Sequence, residues 1–195
     1  MNKVSYALGL SIGNNFEASG IGNLDVEEFV KGLKTVLNHE TPEISYDEAK
    51  KVINDYFVKL QEEKKELNKK AGEEFLRINK ERAGVQTLPS GLQFQILKEG
   101  KGPRPTAHDQ VKVHYTGSLI NGKIFDSSVE RGEPATFGVT QVIPGWVEAL
   151  QLMPVGSTWR LFIPSELAYG ENGAGDVIEP NSTLQFDVEL LEIVK

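Results

Sequence analysis

Apolar residues recur at helical spacing through the first part of the chain and mostly alternate after residue 90. Over 3–19, Leu8, Ile12 and Phe16 fall four apart, and Tyr6 and Leu10 occupy another face. This predicts a helix with more apolar surface than a lone amphipathic helix needs. Gly9 and Gly13 lie on it although an interior glycine costs about 1 kcal/mol, so a close helix approach is expected there. Asp25 with Glu28 resembles a capping box, and Val26, Phe29, Val30, Leu33, Val36 and Leu37 keep the 3.6-residue period to about Asn38. Thr41-Pro42 breaks the pattern. Ser45 with Glu48 opens a third helix that meets no proline before about Ala83, a length of roughly 55–60 Å. Ala49, Val52, Ile53, Tyr56, Phe57 and Leu60 make an apolar stripe in its first half. Gln61 to Glu66 has no apolar residue. A solvated rod with packed ends is expected there, with a bend at Gly72. A coiled coil fits less well, because the apolar heptad seam is missing between Leu60 and Leu67.

After the rod, Gly84 and Pro89-Ser90-Gly91 mark turns. Leu92, Phe94 and Ile96 alternate with Gln93 and Gln95; Val111, Val113 and Tyr115 alternate with Lys112, His114 and Thr116. Asn121-Gly122 signals a hairpin before Lys123-Ile124-Phe125. Trp146 to about Leu152 reads as one short helix. Trp159, Leu161 and Ile163, and then Leu184, Phe186, Val188 and Leu190, alternate in two further strands. The fold class is α+β: an all-α domain over 1–43, a linking helix over 44–84, and an antiparallel sheet covered by one short helix over 85–195. The first 60 residues or so sit near the lower limit for an independent core, and pairing with a second copy hides their excess apolar surface.

Hydrophobic residues make up 39% and charged residues 25% of the 195, which fits a globular chain rather than a disordered one. There is no cysteine, so disulfides and thiol catalysis are excluded. His39, His108 and His114 lack metal-ligand spacing; no metal or other cofactor is expected. A net charge of −7 disfavours nucleic acid. No apolar run is long enough to span a bilayer, and the opening residues do not form a signal peptide. The expected location is cytoplasmic, or periplasmic if a leader has been removed.

Five segments carry the candidate chemistry: Val113-His114-Tyr115-Thr116-Gly117, Phe125-Asp126-Ser127-Ser128, Val142-Ile143-Pro144-Gly145-Trp146, Leu167-Ala168-Tyr169-Gly170 and Leu184 to Leu190. In this order they resemble the peptidyl-prolyl cis-trans isomerase domain of the FKBP family. The helices before them are similar to those of its dimeric subgroup, related to macrophage infectivity potentiator proteins. The resemblance spans nearly the whole chain. It implies a curved sheet of five or six strands wrapped around the short helix, a homodimer through the N-terminal helices, and proline-containing polypeptides as clients. It also implies macrolide immunosuppressants as inhibitors. Ala135 and Ala174 stand at the expected pocket rim, where the best-known small members have phenylalanine and histidine.

Resonance gives the prolyl peptide bond a rotational barrier of roughly 18–20 kcal/mol. Lowering it breaks no bond and moves no proton. A dry aromatic cleft favours the twisted, less polar amide. The resemblance assigns catalytic roles to Tyr115, Asp126, Trp146 and Tyr169, and substrate contacts to Phe125, Arg131, Phe137, Val142, Ile143, Val177, Ile178 and Phe186. Trp146 is the floor, and Tyr115, Phe125 and Phe186 are walls. The Ile143 backbone N–H and the Tyr169 hydroxyl are the expected donors, and Asp126 meets the amide dipole or a Tyr115/Arg131 network. Taken singly, each aromatic is more simply a core residue, and Asp126 before two serines is a turn or cap; the set in order is what points to a site. His114 alternates away from Tyr115 and is read as structural or exposed. Residues 171–176 form a flap beside the pocket. The rival reading is a module that binds proline segments with little catalysis.

Overall fold

The computed structural model describes residues 1–194, which divide into two compact units, the first over 1–61 and the second from 62 onward. In the first unit, α1 (Lys3–Ala18) starts where the Asn2 side chain accepts from the Val4 and Ser5 N–H groups. α2 (Val26–Leu37) starts where Asp25 accepts from the Glu27 and Glu28 N–H groups. These caps satisfy amides that have no partner inside a helix. Phe16 meets Phe29 edge to face at 5.4 Å between ring centroids. Neither helix contains a buried residue, and nothing lies within 4 Å of where a side chain on Gly9 or Gly13 would stand.

α3 (Tyr46–Asn79) opens at Ser45, whose hydroxyl accepts from the Glu48 N–H at 3.1 Å. It ends at Asn79, short of the expected Ala83, where the chain turns toward the first strand. The Asn79 side-chain amide donates to the buried Gln93 side chain at 2.9 Å, and Gln93 donates in turn to the Leu76 carbonyl. The expected solvated rod is only partly so. Glu62, Glu63 and Glu66 are exposed, but Lys64, Lys65 and Asn68 are half-buried against residues 179–181. Gly72 is not a bend. The helix runs through it, and a side chain there would collide with Thr183. Its glycine serves close approach of helix to chain, and Phe75 packs on Phe162 beside it.

The described residues of the second unit form one antiparallel sheet of seven strands: β1 (Val85–Thr87), β2 (Gln93–Lys98), β3 (Gln110–Leu119), β4 (Ile124–Ser127), β5 (Ala135–Gly138), β6 (Thr158–Ile163) and β7 (Leu184–Val194). Their order is β1-β2-β6-β7-β3-β4, with β5 also paired to β3. β1 and β5, too short to show alternation in the sequence, bring the count to seven, above the five or six that the resemblance implied. The sheet is curved, and α4 (Pro144–Leu152) packs on the face made by Val111, Val113, Tyr115, Leu161, Ile163, Phe186 and Val188. Pro144 takes the first helical turn, where a missing N–H costs nothing. A side chain on Gly145 would come within 2.6 Å of Ile163, so glycine there lets α4 lie directly on β6.

The Gly72 contact predicts a competition. Alanine gains helix propensity of about 1 kcal/mol, but overpacking costs about 1–3 kcal/mol. Gly72→Ala should therefore lower the midpoint of urea unfolding. An unchanged or raised midpoint would show that Thr183 yields freely.

Candidate active site

The strands and α4 converge on a cavity of about 460 Å³. Trp146 comes from the first turn of α4 and is 4% exposed. The rings of Tyr115 and Phe186 stand edge-on to it at 5.3 Å each, and Phe137 at 6.0 Å. Phe125 meets Phe186 at 5.5 Å. Such edge-to-face contacts fix ring orientation beyond simple burial. Gly117 makes the wall possible: a side chain there would strike the rings of Phe186 and Phe125 at 2.6 and 2.7 Å.

Tyr115, Phe125, Asp126, Phe137, Val142, Ile143, Trp146, Tyr169, Ile178 and Phe186 all line this cavity. Two expected residues do not. Arg131 stands outside the lining and reaches it through Asp126 and Tyr115. Val177 is half-buried beside the site, while the bridge between Ala174 and Ile178 seats Ile178 in the wall. Gln141 lines the cavity and was not expected. It ends a short 3₁₀ turn, Val139–Gln141, that leaves no periodic signal in the sequence. Ala135 and Ala174 pack against the core rather than line the opening.

The polar side of the cavity is a three-membered network. The Tyr115 hydroxyl donates to Asp126 Oδ2, Arg131 Nη1 donates to Asp126 Oδ1, and Arg131 Nη2 donates to the Tyr115 oxygen at 3.1 Å. Burial pushes the Asp126 carboxyl up, but hydrogen bonds from Tyr115 and Arg131 outweigh it and hold the group below its ordinary range. Burial, then the bond to Asp126, raises the Tyr115 phenol. Tyr115 is thus kept as a donor and Asp126 as an anion. The following serines fix the strand end. Ser128 Oγ accepts from the Tyr115 N–H at 2.8 Å, and Ser127 Oγ lies 2.8 Å from Thr116 Oγ1. His114 is half-buried, with Nδ1 3.1 Å from Ser128 Oγ.

Among the described residues, no protein group accepts from the Ile143 N–H or the Tyr169 hydroxyl. They are donors at the edge of an apolar cleft. No cluster of histidine, aspartate or glutamate suited to a metal occurs among the described residues. The arrangement can hold an apolar ring over an indole, orient flanking carbonyls and keep one carboxylate ionised.

Comparison with known proteins gives a consistent picture. Residues 102–191 match the family described as FKBP-type peptidyl-prolyl cis-trans isomerase, and residues 1–96 match the domain amino terminal to it. The chain is 45% identical over 195 residues to the FKBP-type 22 kDa peptidyl-prolyl cis-trans isomerase of Escherichia coli, covering 98% of this chain and 95% of that protein. It is 42% identical over 201 residues to the outer membrane protein MIP of Legionella longbeachae, covering 100% and 86%. The crystal structure of FkpA from Escherichia coli superposes with a TM-score of 0.78 at 36% identity, covering 98% of this chain and 95% of that one.

A carboxyl held low in the folded state contributes its stabilisation above the unfolded value of about 3.9. That contribution is lost progressively as pH falls from there through the still lower folded value. The state of the network should therefore be constant from about pH 5 to 8. The kcat/KM for an X-Pro peptide should be flat over that range, and a bell-shaped profile would contradict the assigned states.

Proposed function

The chain belongs to the FKBP-type peptidyl-prolyl cis-trans isomerases, and we propose that it accelerates X-Pro isomerisation in folding protein chains through the aromatic cavity at Trp146, without covalent or metal chemistry. The observation that carries this is the pairing of an apolar, aromatic-lined cleft with free donors at its edge and one ionised carboxylate. A planar amide loses resonance as it twists, and its carbonyl becomes less polar. Transfer into the cleft favours that state over the planar one. In this reading Trp146 lies under the proline ring, and Tyr115, Phe125 and Phe186 wall it. The Ile143 N–H and Tyr169 hydroxyl hold flanking carbonyls. Asp126, oriented by Tyr115 and Arg131, faces the amide dipole. Phe137, Val142 and Ile178 complete the apolar surface, and Val177 and Arg131 support it from outside the lining.

The same reading gives the N-terminal helices a dimerisation role over 1–43, with 44–84 as linker and 85–195 as isomerase domain. The exposed apolar face supports it: Leu8 and Leu10 on α1, and Val36 and Leu37 on α2, are more than half exposed in a single chain. A symmetric partner would cover them. Two isomerase domains on one dimer raise the effective concentration at a client that offers two proline segments. No described helix is long and apolar enough to cross a membrane. Kinship with a protein named for the outer membrane means that family membership by itself does not support the cytoplasmic expectation.

Two experiments test the proposal. Wild type should turn over an X-Pro peptide far above background. Asp126→Ala should lose about tenfold or more in kcat/KM, the scale of a hydrogen bond to a charged group, and Trp146→Leu should also be impaired. Background turnover by wild type, with the peptide still bound, would support the binding-module reading instead. Separately, removal of residues 1–43 should leave peptide turnover intact and slow refolding of a proline-limited protein. Equal refolding by both forms would remove the role given to the dimer.

A further inference from the structure

The loop that completes the cavity is held by its own backbone and by α3. After Tyr169 the chain turns through 170–183 before entering β7. Two links tie its limbs together. The Asn181 N–H donates to the Gly170 carbonyl at 2.8 Å, and Ala174 and Ile178 exchange backbone hydrogen bonds at 2.8 and 3.1 Å. The first link sits next to Tyr169, a proposed donor. The second sets Ile178, a wall residue 7% exposed. Residues 179–181 are in turn gripped by α3. Asn68 Nδ2 donates to Glu179 Oε2 at 3.1 Å and to the Pro180 carbonyl at 3.0 Å. Lys64 Nζ lies 3.4 Å from Glu179 Oε1, and Asn181 Nδ2 donates to the Lys65 carbonyl at 3.3 Å.

We infer that Asn68 is a positioning residue for isomerisation: with Glu179 it clamps residues 179–181 to α3 and thereby holds Ile178 and Tyr169 at the cavity. The inference deepens the isomerase reading of the Trp146 cavity and rests on it. Three features favour a clamp over simple surface polarity. Asn68 binds both a side chain and a backbone carbonyl of the loop, a geometry that fixes the loop's path as well as its charge. Asn181 adopts a left-handed backbone, φ 57°, at the residue that links α3 to Gly170. Gly72 lets α3 approach Thr183 immediately after the clamped segment. The bond from Asn68 also holds the Glu179 carboxyl below its ordinary range, which keeps it an acceptor.

Ile178 and Tyr169 touch substrate in both planar and twisted states. Loosening them should weaken binding more than it slows the twist, so the effect belongs in KM. The test measures KM, kcat and melting temperature for the full chain on one X-Pro peptide. Asn68→Ala should raise KM roughly fivefold, the scale of one net hydrogen bond, with a much smaller change in kcat. Glu179→Gln keeps an acceptor and should stay near wild type. Asn68→Ala combined with Glu179→Ala should be no worse than the worse single variant. Phe75→Leu loosens the same helix where it meets Phe162; it should lower the melting temperature and leave KM unchanged. An active wild type with unchanged KM in Asn68→Ala would overturn the inference. An equal rise in KM for Phe75→Leu would also do so, by reducing Asn68 to general helix docking. Wild-type turnover at background would overturn the isomerase reading and the inference with it.

Discussion

Burial of Trp146 between α4 and the curved sheet is the constraint on which the second unit depends. The indole is buried in the core on one side and lines the cavity on the other. Gly145 lets the helix sit on Ile163, and Gly117 lets Phe125 and Phe186 close in as a wall. Tyr115, Phe137 and Phe186 meet the indole edge-on, so the ring is held from several sides. The residue proposed as the floor of the site is therefore also part of the hydrophobic core. Rigid packing supplies the preorganisation that a reaction without bond breaking needs.

Electrostatics play a narrow part. Asp126, Tyr115 and Arg131 satisfy one another, and the directions of their shifts keep the carboxylate charged and the phenol protonated. Nothing in the network is poised to exchange a proton near neutrality. That fits the proposed mechanism, in which the barrier is lost resonance and an ordered dipole beside an apolar cleft lowers it without acid or base.

The sequence was most legible where periodicity or capping chemistry is local. Asp25 and Ser45 start their helices as their spacing implies, and the long strands follow from alternation at Val111, Trp159 and Leu184. Contacts distant in sequence were not visible. Gly72 reads as a bend until Thr183 is brought against it, and Gln93 reads as a solvent-facing strand residue until Asn79 meets it in the interior. Gln141 belongs to a single 3₁₀ turn, and β1 and β5 are too short for a period to register. The helix beside residues 179–181 looked like a charged rod because its loop partners lie more than a hundred positions away.

The central claim is that the cavity lowers the rotational barrier by environment and orientation, with no proton in flight. The most direct measurement is the catalysed cis-to-trans rate of one X-Pro peptide in H2O and in D2O at matched acidity. The account predicts strong catalysis at the same rate in both solvents. A clear slowing in D2O would contradict it and make Asp126 or Tyr115 a proton-transfer group.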